Sequence, residues 1–284
     1  MSDTKKINLN TKAKNTWCPG CGNFPILAAF KKAVQELINE GIKKENIVIT
    51  SGIGCSSKII DYINLNSFSA LHGRPVASAE GIKMGNPELK VIAFQGDGGC
   101  YNEGISHLIH AAKRNIDMTV LIHNNRNFAL TTGQFTATSP QGFAGKSTPE
   151  GSIEKPFNPL KLILDVNGSF IARGYSGKIS HLKDLIKQAV KHQGFSFIDI
   201  LQPCVSFFDT REFYNKKVAI EKNKNLSSKK QAQKLIEKWD YQKDSPKAKI
   251  PIGLFYKVNK PTYEKSLLKN INPAKRKKVP AVKV

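Results

Sequence analysis

The sequence predicts an α/β protein built on a doubly wound, mostly parallel sheet. Short apolar runs alternate with longer segments in which apolar residues recur every three or four positions, the pattern of strands connected by helices. Several of the apolar runs end in glycine, asparagine or other polar residues, as strands do where a ligand-binding sheet edge begins. With 284 residues, the chain can form one large α/β domain or two small ones, and it is long enough to bury a sizeable core.

The elements follow in a regular order. The stretch after the cysteine at position 21 has one apolar helical face and ends near Gly41, a plausible helix terminus. We expect strands at 46–50, 91–94, 118–122, 170–174 and 196–201, and further helices at 76–85, 105–112, 160–166 and 181–192. Residues 135–159 lack strong periodicity and predict a long loop, which in a compact domain is usually functional or packed on a partner.

The segment 90–134 carries the strongest functional pattern. An apolar run is followed by the turn GDGG at 96–99, a helix, a second apolar run and an Asn pair at 124–125. This order predicts a parallel βαβ unit with Asp97 and Asn125 just past the carboxyl ends of its two strands. Open α/β sheets bind their ligands at that edge.

Magnesium and a diphosphate group suit the residues of this unit. Mg²⁺ takes near-octahedral oxygen ligands at about 2.0–2.1 Å and commonly combines one or two protein groups with phosphate oxygens. Asp97 offers a charged oxygen and Asn125 a neutral one, and the glycines at 96, 98 and 99 let the backbone approach a phosphate closely. Gly-Asp-Gly alone is also an ordinary tight turn. Combined with the paired strands and the Asn pair, it resembles the thiamine diphosphate motif.

The cysteines form a second pattern. Cys18 and Cys21 make a CxxC turn before the first helix, and Cys55 and Cys204 follow predicted strands. CxxC is compatible with a thioredoxin-like redox pair, which normally sits in a smaller domain, with structural zinc, or with an iron–sulfur cluster. Four thiolates at one sheet edge fit the Cys₄ pattern of a [4Fe–4S] cluster, although spacing alone does not separate it from zinc. Cys100 lies at the start of a predicted helix. We interpret it as a thiol packed in the core, with a role as an alternative metal or cluster ligand as the second hypothesis.

Two cationic or titratable side chains follow the same predicted edge. Lys58 ends the loop SGIGCSSK after the strand at 46–50. It reads either as a surface lysine or as a cation facing a carboxylate or phosphate. His72, in LHGRP, is either a packing residue or a group that touches a ligand.

The charge of the chain is large and unevenly placed. The net charge is +22, and residues 211–284 hold 21 Lys and Arg against 6 Asp and Glu. Such a tail would attract nucleic acid, an anionic membrane or an acidic protein, or it reflects a lysine-rich composition. No stretch approaches 18 apolar residues and no apolar leader segment is visible, so we expect a soluble, cytoplasmic protein. We place a cofactor-binding domain at 1–210 and a basic C-terminal extension, packing on the domain or on a partner, at 211–284.

Five motifs, in order, carry a family resemblance. TWCPGCGN, SGIGCSSK, LHGRP, GDG and NNRNFALTTGQ are similar to the β subunit of 2-oxoacid:ferredoxin oxidoreductases, and the QPC near 204 and the basic tail also fit. The resemblance covers nearly the whole chain. It implies oxidative decarboxylation of a 2-oxoacid with coenzyme A to an acyl-CoA and CO₂, with electrons passing through one [4Fe–4S] cluster to ferredoxin. It also implies thiamine diphosphate, Mg²⁺ and an α (or fused γα) subunit that supplies the glutamate activating the thiamine ring.

The resemblance assigns roles to individual positions. It implies Cys18, Cys21, Cys55 and Cys204 as cluster ligands, and Asp97, Asn125 and the main-chain oxygen of Asn127 as Mg²⁺ ligands. The implied cofactor contacts are Ile53, Gly54, Cys55, Ser56, His72, Gly96, Asp97, Gly98, Gly99, Asn125, Asn127, Ala129 and Leu130. Lys58 and Leu130 match positions that face substrate, and we expect Lys58 and His72 to orient substrate and cofactor.

Two departures and two rival readings stand beside this assignment. The family usually has an acidic residue where Gly99 stands and Tyr-Gly where this chain has Phe128-Ala129. Neither removes a metal oxygen, so both bear on pocket shape and rate. The alternative enzyme is a non-redox thiamine diphosphate-dependent 2-oxoacid decarboxylase or synthase, which does not need the four cysteines. A zinc-stabilised nucleic-acid-binding protein would leave the GDG unit unexplained, so we expect no nucleic-acid and no membrane partner.

Overall fold

One eight-stranded sheet forms the centre of the computed structural model, which describes residues 7–242, 249–269 and 271–276. Its strands are β1 (Ile47–Ser51), β2 (Asn66–Ser69), β3 (Lys90–Gly96), β4 (Thr119–Asn124), β5 (Phe170–Tyr175), β6 (Ser196–Leu201), β7 (Val218–Ile220) and β8 (Ile250–Lys257). The spatial order is β2-β1-β3-β4-β6-β5-β8-β7. All neighbours pair in parallel except β5 and β8, which are antiparallel. The predicted fold class, a doubly wound and mostly parallel sheet, is confirmed.

Helices cover both faces of the sheet. They are α1 (Asn23–Asn39), α2 (Pro75–Gly85), α3 (Ile105–Arg114), α4 (Pro159–Asp165), α5 (Ile179–Lys191), α6 (Arg211–Lys217), α7 (Lys229–Glu237) and α8 (Tyr263–Leu268). α1 and α5 pack together over one face, while α2, α3, α4 and α7 contribute to the core on the other. Successive strand residues point to opposite faces, so Ile92 and Phe94 of β3 join the first core and Val91 and Ala93 join the second.

The structure contains three strands that the sequence pattern does not reveal, β2, β7 and β8. All four residues of β2 are exposed. This edge strand therefore has neither an apolar run nor an alternation of apolar and polar residues by which it could be predicted. The apolar stretch at 251–256 belongs to β8, which continues the main sheet beside β5. Residues 135–158 contain no helix or strand, and the predicted long loop is therefore confirmed.

The described part of the C-terminal extension packs on the domain. It adds β8 and β7 to the sheet, and α7 lies against α4. Trp239 and Tyr241, from the segment between α7 and β8, are fully buried. Residues 243–248, 270 and 277–284 of this extension lie outside the described residues. The boundary at residue 210 stays a prediction. Over the part of the chain that the structure describes, none of the helices has the length and apolar character needed to cross a membrane.

Candidate cofactor and cluster site

Asp97 and Asn125 lie side by side at the carboxyl edge of the sheet. Asp97 follows the last residue of β3 and Asn125 follows the last residue of β4. The backbone N–H of Asn125 donates to Asp97 Oδ1 at 3.4 Å. Parallel pairing of β3 and β4 brings the two strand ends together, as the sequence predicts.

Every position that the resemblance assigns to cofactor contact lines one cavity of about 60 Å³. We call it the Asp97 cavity. His123, Phe128 and Thr131 line it as well. The cavity lies outside the carboxyl ends of β1, β3 and β4, where a doubly wound sheet binds its ligand. The contacts themselves stay predictions.

The Asp97 carboxylate is almost fully buried and held by hydroxyl groups. Its Oδ2 accepts hydrogen bonds from Thr136 Oγ1 at 2.6 Å and Thr138 Oγ1 at 3.1 Å. Burial raises the pKa of Asp97 from 3.8 to about 7, and the hydroxyl donors oppose this shift without cancelling it. Two donors fill Oδ2, whereas Oδ1 accepts the longer contact from the Asn125 backbone and retains capacity for a cation.

The asparagines beside Asp97 supply neutral oxygens. Asn125 Oδ1 accepts from the Asn127 backbone N–H at 3.2 Å, and Asn127 Nδ2 donates to the Asn125 carbonyl at 2.8 Å. Asn127 Oδ1 is buried and has no hydrogen-bond partner within the described ranges. A buried carboxylate next to amide and carbonyl oxygens is the hard-oxygen set that Mg²⁺ prefers, so the residues fit that ion. Among the described residues, no group of three or more His, Cys, Asp or Glu stands ready to hold a metal ion.

The glycine turn after β3 is shaped by close contacts that need bare backbone. Residues Gly98–Glu103 form a π-helical turn. A Cβ on Gly98 would lie 2.3 Å from the Phe128 ring, whereas one on Gly99 would meet Gln95 at an ordinary 3.6 Å. Gly73, in a left-handed conformation with φ of 68°, packs against the backbone of Glu103. These contacts press Phe128 and the LHGRP loop against the turn and bring His72 to the cavity.

The four predicted cluster cysteines line one larger cavity. This cavity, the cysteine cavity, has a volume of about 570 Å³ and is lined by Cys18, Cys21, Cys55 and Cys204. Burial, and to a smaller extent the neighbouring thiols, raise the pKa of Cys55 to about 11. Burial also raises the pKa of Cys21. Four thiols that repel one another as thiolates need a shared positive group to ionise together, so they fit an iron–sulfur cluster, whose iron would supply that charge.

The two cavities adjoin. Ile53, Gly54, Cys55, Asn125, Ala129 and Leu130 line both of them. Cys55 therefore belongs to both sets of predicted roles. Cys100 is fully buried in the core under α2 and α3 and lines neither cavity.

Several polar groups around the cysteines escaped the sequence analysis. Ser206 Oγ donates to Cys18 Sγ at 3.3 Å, and Gln202 Nε2 donates to Cys21 Sγ at 3.9 Å. Trp17 Nε1 donates to the Cys55 carbonyl at 2.7 Å. Each of these residues lies within two positions of a cysteine, and that proximity is the signal that would have found them.

His123 was also missed. It is the penultimate residue of β4 and lies one position beyond the predicted strand at 118–122. Its Nδ1 lies 2.6 Å from Asn23 Oδ1, and burial lowers its pKa to about 3. His123 is therefore a neutral imidazole in the wall of the Asp97 cavity, with Nε2 lacking a partner among the described residues.

Lys58 and His72 hold more exposed positions at the same edge. Lys58 lines the cysteine cavity, and its ammonium lies 3.6 Å from the Asp61 carboxylate. His72 lines the Asp97 cavity, with Nδ1 3.3 Å from the Glu103 carboxylate. Both side chains are partly solvated, so each can exchange its present partner for a ligand.

Comparison with known proteins places this arrangement in a family. Residues 52–200 match the thiamine pyrophosphate enzyme, C-terminal TPP binding domain. The chain is 40% identical, over 290 aligned positions, to the β subunit of 2-oxoacid:ferredoxin oxidoreductase 1 from Aeropyrum pernix, covering 96% of this chain and 87% of that protein. The chain belongs to the 2-oxoacid:ferredoxin oxidoreductase β subunits. This confirms the family, the fold class and the enzyme class expected from the sequence, and with them a thiamine diphosphate-binding domain.

Two further relatives of this oxidoreductase β subunit cover most of its length. It is 37% identical to the 2-oxoglutarate synthase subunit KorB of Methanothermobacter thermautotrophicus, covering 87% of this chain and 84% of that one. It also superposes with a TM-score of 0.86 and 33% identity on 2-oxoglutarate:ferredoxin oxidoreductase from Magnetococcus marinus, solved with 2-oxoglutarate, coenzyme A and succinyl-CoA bound, covering 94% of this chain and 91% of that chain.

Proposed function

We propose that this β subunit binds thiamine diphosphate across the two adjoining cavities, with Mg²⁺ and the diphosphate in the Asp97 cavity, and one [4Fe–4S] cluster at the four thiols of the cysteine cavity. With its α subunit it would convert a 2-oxoacid and coenzyme A into an acyl-CoA and CO₂ and pass electrons to ferredoxin. The observation that supports the proposal is the wall that the two cavities share, because a cofactor bound at Asp97 would then lie directly beside four thiols. A non-redox thiamine enzyme has no use for that juxtaposition.

The Asp97 cavity supplies the groups that an Mg²⁺-bound diphosphate requires. Asp97 Oδ1, Asn125 and the main-chain oxygen of Asn127 would hold the cation, while Thr136 and Thr138 keep Oδ2 in place. Gly98 leaves room for Phe128 to close one side. Thiamine diphosphate supplies the carbanion chemistry when bound. The chain orients it and excludes water around the buried carboxylate.

The cysteine cavity supplies four sulfurs and two side-chain donors to them. Cys18 is the exposed member of the set, while Cys204 is buried. An iron–sulfur cluster supplies one-electron chemistry when bound. Ser206 and Gln202 would stabilise added negative charge on the sulfurs by hydrogen bonding. The exposed side at Cys18 and the net charge of +22 suit an acidic ferredoxin, whose encounter with a basic surface is fastest at low salt.

The partner subunit completes the site. None of the described residues that line either cavity is a glutamate, and thiamine activation requires one in this family, as the resemblance implies. Ile53, Leu130 and Phe207, which line the cavities, are 43%, 56% and 43% exposed. Apolar side chains at the rim of a site favour coverage by another protein, and the α subunit is that protein in our proposal.

The β chain purified alone is therefore expected to be inactive. Prepared anaerobically, it should be brown, contain about four irons and turn over no 2-oxoacid, whereas co-expression with the α subunit should restore ferredoxin reduction. The measurements are iron and zinc content, and turnover with a panel of 2-oxoacids. Turnover by the single chain would contradict the role given to the partner, and a zinc-loaded chain without iron would contradict the cluster.

Lys58 is expected to influence which 2-oxoacid is used. Replacing Lys58 with alanine should lower kcat/KM for 2-oxoglutarate about tenfold more than for pyruvate, because only 2-oxoglutarate has a distal carboxylate that could replace Asp61 as the partner of the ammonium. Lys43→Ala is the matched control, since Lys43 is exposed at the opposite, amino end of β1. An equal loss for both substrates would exclude Lys58 as a selectivity residue.

A further inference from the structure

A chain of buried hydrogen bonds runs from the Asp97 carboxylate across the sheet to the C-terminal extension. Thr138 Oγ1 lies 3.1 Å from Asp97 Oδ2 and 2.9 Å from Asn124 Oδ1. Asn124 Nδ2 donates to Asp199 Oδ1 and to Tyr241 Oη, each at 3.0 Å. Tyr241 Oη in turn donates to Asp199 Oδ2. We call these four residues, Thr138, Asn124, Asp199 and Tyr241, the support chain.

Asp199 anchors the support chain inside the protein. It is fully buried on β6, opposite Arg173 of β5, and also accepts from Tyr101 Oη at 2.8 Å. Burial raises the pKa of Asp199, whereas its hydrogen-bond donors and Arg173 act in the opposite direction. Asp199 lines neither cavity. A buried carboxylate is costly to keep, and this one serves no direct contact with a ligand.

The support chain fixes the orientation of the Asn124 amide. Both protons of Nδ2 are used, one toward Asp199 and one toward Tyr241, so the amide oxygen must face Thr138. Tyr241 has a single hydroxyl proton and directs it to Asp199, which leaves its oxygen free to accept from Asn124. Thr138 has a single hydroxyl proton, which lies between two acceptors, Asp97 Oδ2 and Asn124 Oδ1. Removal of Asp199, or loss of the Tyr241 hydroxyl that holds one of the two Nδ2 protons, would loosen the amide and shift the Thr138 hydroxyl from its position between these acceptors.

A second contact links the same extension to the predicted metal-ligand loop. Arg126, between Asn125 and Asn127, has a left-handed backbone with φ of 61°, which a non-glycine residue adopts at a cost. Its buried guanidinium donates to the Thr138 carbonyl at 2.8 Å and to the Tyr241 carbonyl at 3.0 Å. Tyr241 therefore touches the supports of Asp97 and of the asparagine loop at once.

We propose that Asp199 and Tyr241 are positioning residues for the metal-binding groups of the Asp97 cavity, and that the C-terminal extension is thereby part of the cofactor site. This inference rests on the proposed function, since it concerns the same Mg²⁺ and diphosphate. If the extension only stabilised the fold, a substitution at Tyr241 would not change cofactor affinity. The positioning role predicts that it does, although Tyr241 contacts neither the cofactor nor a metal ligand.

The decisive comparison is between two buried tyrosines. Tyr241→Phe removes only the hydroxyl of the support chain. Tyr175→Phe removes the hydroxyl of another buried tyrosine, which donates to Asn215 at 2.7 Å and lines neither cavity. In the complex with the α subunit, stripped of thiamine diphosphate, Tyr241→Phe should raise the calorimetric Kd for thiamine diphosphate at fixed Mg²⁺ about three- to tenfold. Tyr175→Phe should leave that Kd unchanged. Both variants should lower Tm by similar amounts, because each loses one buried hydroxyl.

A second pair of variants covers the case in which Tyr241→Phe does not fold. Thr138→Val should weaken Mg²⁺-dependent binding of thiamine diphosphate, and Thr138→Ser, which keeps the hydroxyl, should restore it. Equal Kd values for wild type and Tyr241→Phe, or for Thr138→Val and Thr138→Ser, would overturn the positioning role while leaving the proposed function intact. A wild-type complex that shows no Mg²⁺-dependent binding would refute the proposed function itself.

Discussion

Replacing Asp97 with asparagine is expected to weaken Mg²⁺-dependent binding of thiamine diphosphate at least about 100-fold and to stop turnover. Changes to groups that only support a metal ligand already cost about 10–100-fold in metal affinity, and an amide in place of this carboxylate would remove the one charged oxygen of the set. The matched control is Asp165→Asn, at the exposed end of α4, which should bind the cofactor as the parent does. The measurement is the Kd of thiamine diphosphate at fixed Mg²⁺, obtained by calorimetric titration of both variants and the parent.

The same substitution is expected to stabilise the protein without cofactor at neutral pH. Because burial raises the pKa of Asp97 from 3.8 to about 7, the folded state holds a proton that the unfolded state releases, and stability falls as pH rises between those values. The neutral amide of the variant carries no such penalty. The Tm of Asp97→Asn should exceed that of the parent by roughly 2 °C or more at pH 8 and approach it near pH 4. A lower Tm at pH 8 would show that Asp97 stabilises the fold instead of serving the site.

Serine at any of the four cysteines of the cysteine cavity is expected to remove most of the iron, from about four atoms per chain toward zero. Loss of one thiolate opens the cluster to solvent and oxidant. The fifth cysteine provides the control, since Cys100 is buried in the core and lines neither cavity. Cys100→Ala should therefore keep its iron, its sulfide and its electron paramagnetic resonance signal after reduction.

The cysteine series has two outcomes that would contradict the assignment. A Cys55→Ser variant with full iron content would show that Cys55 is not a ligand. Loss of iron from Cys100→Ala, in a protein whose Tm remains near that of the parent, would place the fifth cysteine in the set. Zinc in place of iron in all variants would reject the cluster altogether.

Much of the fold was predictable because the central strands are buried on both faces. Residues 91–94 are all apolar and residues 196–201 are apolar except for Ser196 and Asp199, and each run is followed by the polar residues that mark the carboxyl edge. The same pattern predicts that Asp97, Asn125 and Cys55 lie at one edge of the sheet, as the structure shows. The four exposed residues of β2 gave no such signal, since an edge strand need not be apolar.

The parts of the site that escaped prediction depend on contacts between distant segments. Tyr241 lies 117 positions from Asn124, to which it is hydrogen-bonded, and no local pattern links them. The left-handed backbone of Arg126 is set by buried carbonyls of other segments, not by its own residue type. His123 was concealed by its neighbours, because a polar residue at the end of a buried strand looks like the end of the run.

The place of β8 in the sheet also bears on how the protein is made. When residue 210 has been synthesised, the chain already contains the four cysteines of the cysteine cavity and every predicted metal ligand, yet it lacks Tyr241 and the strand that pairs with β5. Ribosomes add about 5–20 residues per second, so a nascent chain spends seconds with its ligands present and its supports missing. With the proposed positioning role of Tyr241, tight retention of the cofactor would be coupled to completion of translation, and prematurely ended chains are not expected to retain thiamine diphosphate as tightly.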